Sequence, residues 1–265
     1  MKIKVQDITM FYEDRGQGLP ILFIHGYPLN HKVWQPQIDG LSDIARIIAP
    51  DLRGHGESQA TQGEYSMDLL ADDCAALLDV IPISQKIVLC GLSMGGYVSL
   101  AFIRKYASRL AGLILTATRA AADSSDAKEN RLKSINKVKN EGIEPIITGM
   151  LPNLLSPHTL SSNPALVAQV REIMQSVSPQ GYIGDLMGMK NRPDSTPLLP
   201  KINIPTLLIF GDEDQIIPLE EAKSMHSLIP ASQLAIIPGA AHLLQLEKPT
   251  EFNDIVRNFI IKNFL

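Results

Sequence analysis

Apolar positions along this chain change period several times, and the changes divide it into elements. "KIKVQDITM" and "FYEDRG" alternate apolar and polar residues, the period of half-buried strands, and a glycine-rich turn at Gly16 to Gly18 follows. An antiparallel hairpin is expected there. The alternation then gives way to continuous apolar runs: "PILFIHG", "ARIIAP", "KIVLCG", "LAGLILTA", "IPTLLIFG" and "SQLAIIPG". Such runs belong to strands buried on both faces of a sheet. Helical patterns separate most of them, at Lys32 to Leu41, Met67 to Ile81, Gly95 to Tyr106 and Leu219 to Leu228, and Glu247 to Asn263 closes the chain. Strands alternating with helices predict an α/β fold, a mostly parallel central sheet flanked by helices on both faces.

One interval breaks the rhythm. From about Arg119 to Lys201 no buried-strand run occurs; the pattern is helical at Asp126 to Asn140, Ile143 to Leu151, Pro164 to Val177 and Gln180 to Met189. Pro152, Pro157, Pro164, Pro179, Pro193, Pro197 and Pro200 punctuate or end these stretches. The interval is too long for a single crossover, so a helical cap is expected at residues 119–200, inserted into a core made of 1–118 and 201–265.

Composition narrows the partners. The chain has 265 residues, 45% hydrophobic and 20% charged, with a net charge of -4. That balance gives no electrostatic reason to expect nucleic acid or an anionic membrane as partner. "MKIKVQDITMFYEDRG" breaks its apolar residues with charges, unlike a signal peptide. No apolar run approaches the ~20 residues that span a bilayer. A cytoplasmic protein is the expectation, with its oligomeric state open. Cys74 and Cys90 suggest neither a disulfide framework nor a metal site.

The candidate chemistry centres on Ser93. Gly91-Leu92-Ser93-Met94-Gly95 fits G-x-S-x-G between a buried strand and a helix, the setting that motif requires. A sharp turn brings the residues two before and two after the serine into close contact, where only minimal side chains fit. The helix behind it directs free N–H groups and its positive end toward the reacting centre. The alternative is a serine that only caps its helix.

A serine hydroxyl needs a base, and the base needs an orienting acid. Among six histidines, His242 stands in a small-residue loop directly after the last strand, where a side chain reaches the C-terminal edge of the sheet. For the acid, "IFGDEDQIIP" offers Asp212, Glu213 and Asp214, with Asp123 as a rival beyond "LILTA". Ser, then acid, then His is the chain order of hydrolase triads on this type of scaffold.

Together, "FIHGYPLNHKVW", "APDLRGHGES", "GLSMGG", "GDEDQIIP" and "PGAAHLLQLEKP" make the chain similar to the α/β-hydrolase superfamily over nearly its whole length outside the cap. The family pattern G-x-x-D-x-x-x-P matches Gly211, Asp214 and Pro218, which favours Asp214 as the acid. The resemblance also implies an oxyanion hole made by the backbone N–H groups of Tyr27 and Met94. His25 and the "DLRGHGES" segment match family patterns too, and scaffold roles are expected for them: Asp51, Arg53 and Ser58 to satisfy loop backbone, His55 as structural. His25, His31 and His55 lack metal-site spacing. Trp34 is expected to be a packing anchor. Met150, Met174, Met187 and Met189, with Leu151, Leu154, Leu155 and Leu186, offer apolar surface for roofing a pocket, although a methionine at helical spacing is usually core.

Relatives that resemble haloalkane dehalogenases or epoxide hydrolases carry an aspartate where this chain has Ser93. The chain looks more like small serine esterases, cofactor-free haloperoxidase or perhydrolase relatives and enol-lactonases. The resemblance therefore implies a cofactor-free, metal-free hydrolase of small carboxylic esters or lactones. The other readings are acyl transfer to peroxide, or a ligand-binding signalling protein whose triad turns over slowly.

Overall fold

The computed structural model describes all 265 residues. The apolar runs become strands β1 (Lys2–Val5), β2 (Ile8–Arg15), β3 (Leu19–Ile24), β4 (Ala45–Pro50), β5 (Ile87–Leu92), β6 (Leu110–Thr116), β7 (Thr206–Gly211) and β8 (Ser232–Ile237). They form one sheet in the order β1-β2-β4-β3-β5-β6-β7-β8. Only β2 pairs antiparallel, with β1 and with β4; the pairings from β4 through β8 are parallel. β5 and β7 are buried along their whole length, while the edge strand β8 is half-buried.

The hairpin forms, but its reversal falls at Gln6 and Asp7 rather than at Gly16 to Gly18. Lys2 pairs with Phe11 and Val5 with Ile8, so "KIKVQDITM" supplies β1, the turn and the start of β2. Gln6 takes the left-handed conformation itself, at φ 48°. Gly16, at φ 85°, belongs to the connection from β2 to β3, where a Cβ would lie 2.6 Å from the Ser42 carbonyl oxygen.

Between β3 and β4 a 3-10 turn at His31–Trp34 leads into α1 (Gln35–Leu41). Next come α2 (Met67–Val80) and α3 (Met94–Tyr106), and after β6 the five helices α4 (Ser125–Glu141), α5 (Glu144–Leu154), α6 (Pro157–Ser162), α7 (Pro164–Gln175) and α8 (Pro179–Asn191). The chain then runs through α9 (Leu219–Leu228), α10 (Leu244–Glu247) and α11 (Pro249–Phe264). α1 packs with α11 and α2 with α3, covering the sheet on its two faces. Trp34 is fully buried between Phe23 and Phe252, at ring-centroid distances of 4.8 and 6.1 Å, as its anchor role requires.

Pro157, Pro164 and Pro179 start helices rather than end them. Each follows a side chain that accepts from a first-turn N–H: Ser156 from Thr159, Asn163 from Leu166, Ser178 from Gly181. Proline at the first helical position loses only an N–H that would have no helical partner anyway. Pro152 instead lies inside α5.

The five-helix segment rests on loops at the carboxyl edge of the sheet. Ser178 donates to the Gly54 carbonyl from both its N–H and its hydroxyl, at 3.0 and 2.9 Å. Tyr65 N–H donates to Gly184 O at 3.0 Å, and Leu243 N–H to Leu154 O at 3.0 Å. This fit needs α8 to approach backbone to backbone, so its glycines face Gly54 and Tyr65.

A Cβ on Gly188 would overlap the Tyr65 carbonyl oxygen and lie 2.6 Å from its carbon. Gly188→Ala is expected to destabilise the protein by about 1–3 kcal/mol through overpacking. At Gly149 in α5 a Cβ would meet nothing within 4 Å, and Gly149→Ala is expected to stabilise by roughly 0.5–1 kcal/mol through helix propensity. Urea unfolding of the two variants checks the opposite signs.

Candidate active site

β3 lies between β4 and β5, so the chain reverses its direction of travel across the sheet beside β3. The carboxyl ends of β3 and β5 meet at this switch point, where sheets of this kind place their ligand sites. Ile24 of β3 is in register with Gly91 of β5. The residues that follow each strand therefore emerge side by side: Gly26 and Tyr27 from one, Ser93 from the other. A Cβ on Gly26 would lie 3.1 Å from the Ser93 Cβ.

Ser93 sits between β5 and α3 with φ 54° and ψ -113°, a conformation that strains a residue with a side chain. Strain of this kind costs of order 1–3 kcal/mol and persists only where the surroundings over-determine it. Here they do. Ser93 N–H donates to Thr116 O at 2.9 Å, and its carbonyl accepts from Gly96 N–H at 2.9 Å and from the Thr118 hydroxyl at 2.7 Å. Added carbons on Gly91 and Gly95 would strike the Gly95 carbonyl and the Ile24 carbonyl respectively. Ser93 makes no side-chain capping bond, so its hydroxyl is not spent on the helix it precedes.

Asp214 and His242 follow the last two strands. The loops carrying them are bound together: Asp212 N–H donates to Ile237 O, Glu213 N–H to Ala240 O at 3.0 Å, and Gly239 N–H to Asp212 Oδ1 at 2.7 Å. Asp214 Oδ2 lies 2.8 Å from His242 Nδ1. Its other oxygen accepts from Ile216 and Ile217 N–H at 2.7 and 3.0 Å. Burial pushes the Asp214 carboxyl up, but the His242 charge and hydrogen bond, with the two backbone donors, outweigh it and hold the group below the usual carboxylate range. His242 is 1% exposed, and its Nε2 makes no hydrogen bond within the protein. Neither Tyr27 nor Met94 donates its backbone N–H to a protein acceptor.

Two of the competing acids have other partners, while the Glu213 side chain makes no hydrogen bond or ion pair. Asp123 binds the guanidinium groups of Arg131 and Arg192, and Asp212 braces Gly239. Asp51 and Ser58 satisfy loop backbone as expected: Asp51 accepts from His31 and Glu57 N–H, and Ser58 donates to Asp51 O. Arg53 does not. It is buried against Asp73 and reaches Asp7 and Thr61, partners too distant in sequence to be foreseen. Of the apolar cap residues, Met174, Met189, Leu151, Leu154, Leu155 and Leu186 are core and Met187 packs half-buried against it, while Met150, with the exposed edge of Leu186, lines a groove that reaches Tyr27.

Two features had no sequence signal. His55 Nε2 lies 2.9 Å from Asp185 Oδ2 on α8, both fully buried. Glu247 accepts from Ala241 N–H at 2.7 Å and from Ser156 N–H at 2.8 Å, joining the His242 loop to the start of α6. No three His, Cys, Asp or Glu side chains converge in a manner that would hold a metal ion.

A strained serine at the switch point of a parallel sheet, with an Asp–His pair after its final two strands, is the architecture of α/β-hydrolases. The serine aminopeptidase S33 family matches residues 20–249, and the chain belongs to it. Among solved structures it is similar to a thermophilic esterase from Thermogutta terrifontis in a malate-bound form, 43% identical with a TM-score of 0.97, covering 100% of this chain and 99% of that one. It is 28% identical to 3-oxoadipate enol-lactonase 2 of Acinetobacter baylyi, over 99% of this chain and 96% of the relative. It is also 28% identical to a non-heme chloroperoxidase of Kitasatospora aureofaciens, over 89% of each. No helix is long and apolar enough to cross a membrane.

His25 and His55 stack at 4.8 Å with contrasting environments. Burial and the neighbouring His55 ring push His25 down to about 3. Its Nε2 accepts from Leu52 N–H at 3.0 Å, which places the proton on Nδ1, 2.9 Å from Gly26 O. Burial also opposes the charge on His55, but Asp185 outweighs it and raises the group above its ordinary value. Imidazole nitrogen shifts should therefore show His25 neutral and unchanging between about pH 8 and pH 5, and His55 gaining its proton above the ordinary midpoint of about 6.5. A His25 ring titrating near neutrality would contradict this structure.

Proposed function

We propose that the protein is a serine hydrolase of small carboxylic esters or lactones, acting through an acyl-serine intermediate. The observation that carries this reading is the strained, uncapped Ser93 beside the unused N–H groups of Tyr27 and Met94. Ser93 Oγ attacks the ester carbonyl carbon and passes its proton to His242 Nε2. The carbonyl oxygen becomes an oxyanion and accepts hydrogen bonds from Tyr27 and Met94 N–H. One such donor is worth about 3–4 kcal/mol in comparable sites. Asp214 keeps the His242 proton on Nδ1 and steadies the imidazolium. His242 then returns the proton to the departing alcohol, and the C–O bond breaks. Water, deprotonated by the same imidazole, attacks the acyl-serine, and collapse releases the acid and Ser93. In this reading residues 119–200 form the lid, and 1–118 with 201–265 the catalytic core.

The similarity to an esterase and to an enol-lactonase supports carboxylic esters and lactones as substrates. The similarity to a non-heme chloroperoxidase supports a second reading, in which hydrogen peroxide replaces water and a peroxyacid leaves. Both run through the same acyl-serine and differ in the accepting nucleophile.

Fluorophosphonate should label Ser93, read as a mass shift on its peptide that Ser93→Ala removes. Hydrolysis of p-nitrophenyl butyrate should fall by about 10⁴-fold or more in Ser93→Ala and by about 10⁴-fold in Asp214→Asn. A single stoichiometric burst without turnover would instead indicate a binding protein, and peroxyacid formed from acetate and peroxide would favour the second reading.

A further inference from the structure

We propose that the groove beneath α4 and α5 receives a carboxylate carried by the substrate, so that the preferred esters bear an acid group. The inference rests on the serine-hydrolase reading for the position of the ester, and on the groove's own chemistry for the charge.

The groove has a volume of about 490 Å³ and reaches Tyr27, whose N–H is the proposed oxyanion donor. Ser93, Met94 and His242 are not in its lining, so Tyr27 is the one residue that joins it to the proposed site. It is large enough for the remainder of a small ester whose carbonyl lies at Tyr27. Its two walls differ. α4 presents Asn130, Ser134 and Lys137, spaced four and three residues apart and so on one helical face. α5 presents Ile146 and Met150, apolar surface for a short methylene chain.

The charge of the lining is one-sided. Arg131 and Lys137 are its only ionic groups. Arg131 pairs with Asp123, but Asp123 also takes Arg192, at 2.6 Å, so two guanidinium groups share one carboxylate. Lys137, exposed on the helix, takes no part in the ion pairs of α4, which are Arg131–Asp123 and Lys133–Glu129. Glu144, adjacent to the lining residue Pro145, is engaged by Arg171. Arg131 has Asp123 as its ion-pair partner and also acts on the buried Asp185, so Lys137 is the one cation of the lining without an ion-pair partner. At its Tyr27 end the phenol hydroxyl is buried without a hydrogen-bond partner. An anionic end group on a short apolar chain matches both walls; a neutral alkyl chain leaves the cationic wall unused.

Two substrate pairs test the charge. Methyl hydrogen glutarate against methyl pentanoate places the carboxylate on the acyl side, and 3-(butanoyloxy)propanoate against propyl butanoate places it on the alcohol side. In at least one pair, kcat/KM should favour the anion by about 3–10-fold, an advantage that shrinks in 0.5 M NaCl, as expected for a partly exposed charge. In Lys137→Glu the same ratio should fall to one or below. Equal ratios in wild type and Lys137→Glu, or preference for the neutral ester in both pairs, overturn the proposal. A second measurement does not depend on turnover. Glutarate, but not glutaramide, should raise the Tm of the Ser93→Ala protein, and adding Lys137→Glu should abolish the shift. No shift with glutarate also overturns the proposal. Retained ester turnover in Ser93→Ala would defeat the acyl-serine reading instead, while the glutarate shift on that protein would still decide the groove.

Discussion

The structure depends on how closely three pieces of backbone approach around Ser93. The β5–α3 turn folds back so tightly that Gly91 meets Gly95, while Gly95 is pressed against the carbonyls at the end of β3. A side chain larger than hydrogen at either glycine would open the turn and release Ser93 from φ 54°. The packing that imposes the strain also settles geometry elsewhere. With α3 held against β3, Tyr27 leaves the sheet beside the serine, and the Ile24–Gly91 register fixes how far along. The strain is thus carried by the buried centre of the sheet, the part least able to relax.

Charge is distributed around this centre with some care for solvation. Asp214 remains ionised in a buried position because it has two backbone donors and an imidazole to bond. His25 is kept neutral by its surroundings, and its acceptor nitrogen is used on Leu52. Arg192 is buried against Asp123 and lies 4.0 Å from the centre of the Tyr97 ring, so its charge has both an anion and an aromatic face. His242 Nε2 is a buried nitrogen with no protein partner. A polar atom left unpaired in this way needs an explanation, and the proposed proton exchange with Ser93 would supply one.

The sheet was legible because its strands β3 to β7 are continuous apolar runs, a pattern that burial on both faces demands. The similar run "SQLAIIPG" became the half-buried edge strand β8. The glycines around Ser93 and the strand-end positions of the acidic cluster and of His242 were legible for a related reason: close approach and chain order leave marks in the residues themselves. The choice of Asp214 within that cluster came instead from the family resemblance. The register of the first hairpin left no such mark, since its turn uses Gln6 rather than glycine. α6 was missed because six residues, most of them polar, show no helical period. Pro157, Pro164 and Pro179 are ambiguous in one dimension, as proline both follows and opens helices, and the Ser or Asn before each decides the matter. The partners of Arg53, His55 and Glu247 come from distant segments, and nothing local to those residues specifies them.

Glu247 has a consequence for how the two parts of the molecule can move. One carboxylate holds Ala241, next to the imidazole, with one oxygen and Ser156, at the entrance to α6, with the other. It acts as a tie rod. Rocking the helical roof outward at that corner must either snap a charge-assisted hydrogen bond or drag the histidine loop along. Displacement of α6 and the position of the His242 loop are thereby coupled through this carboxylate, alongside the Leu243–Leu154 backbone bond.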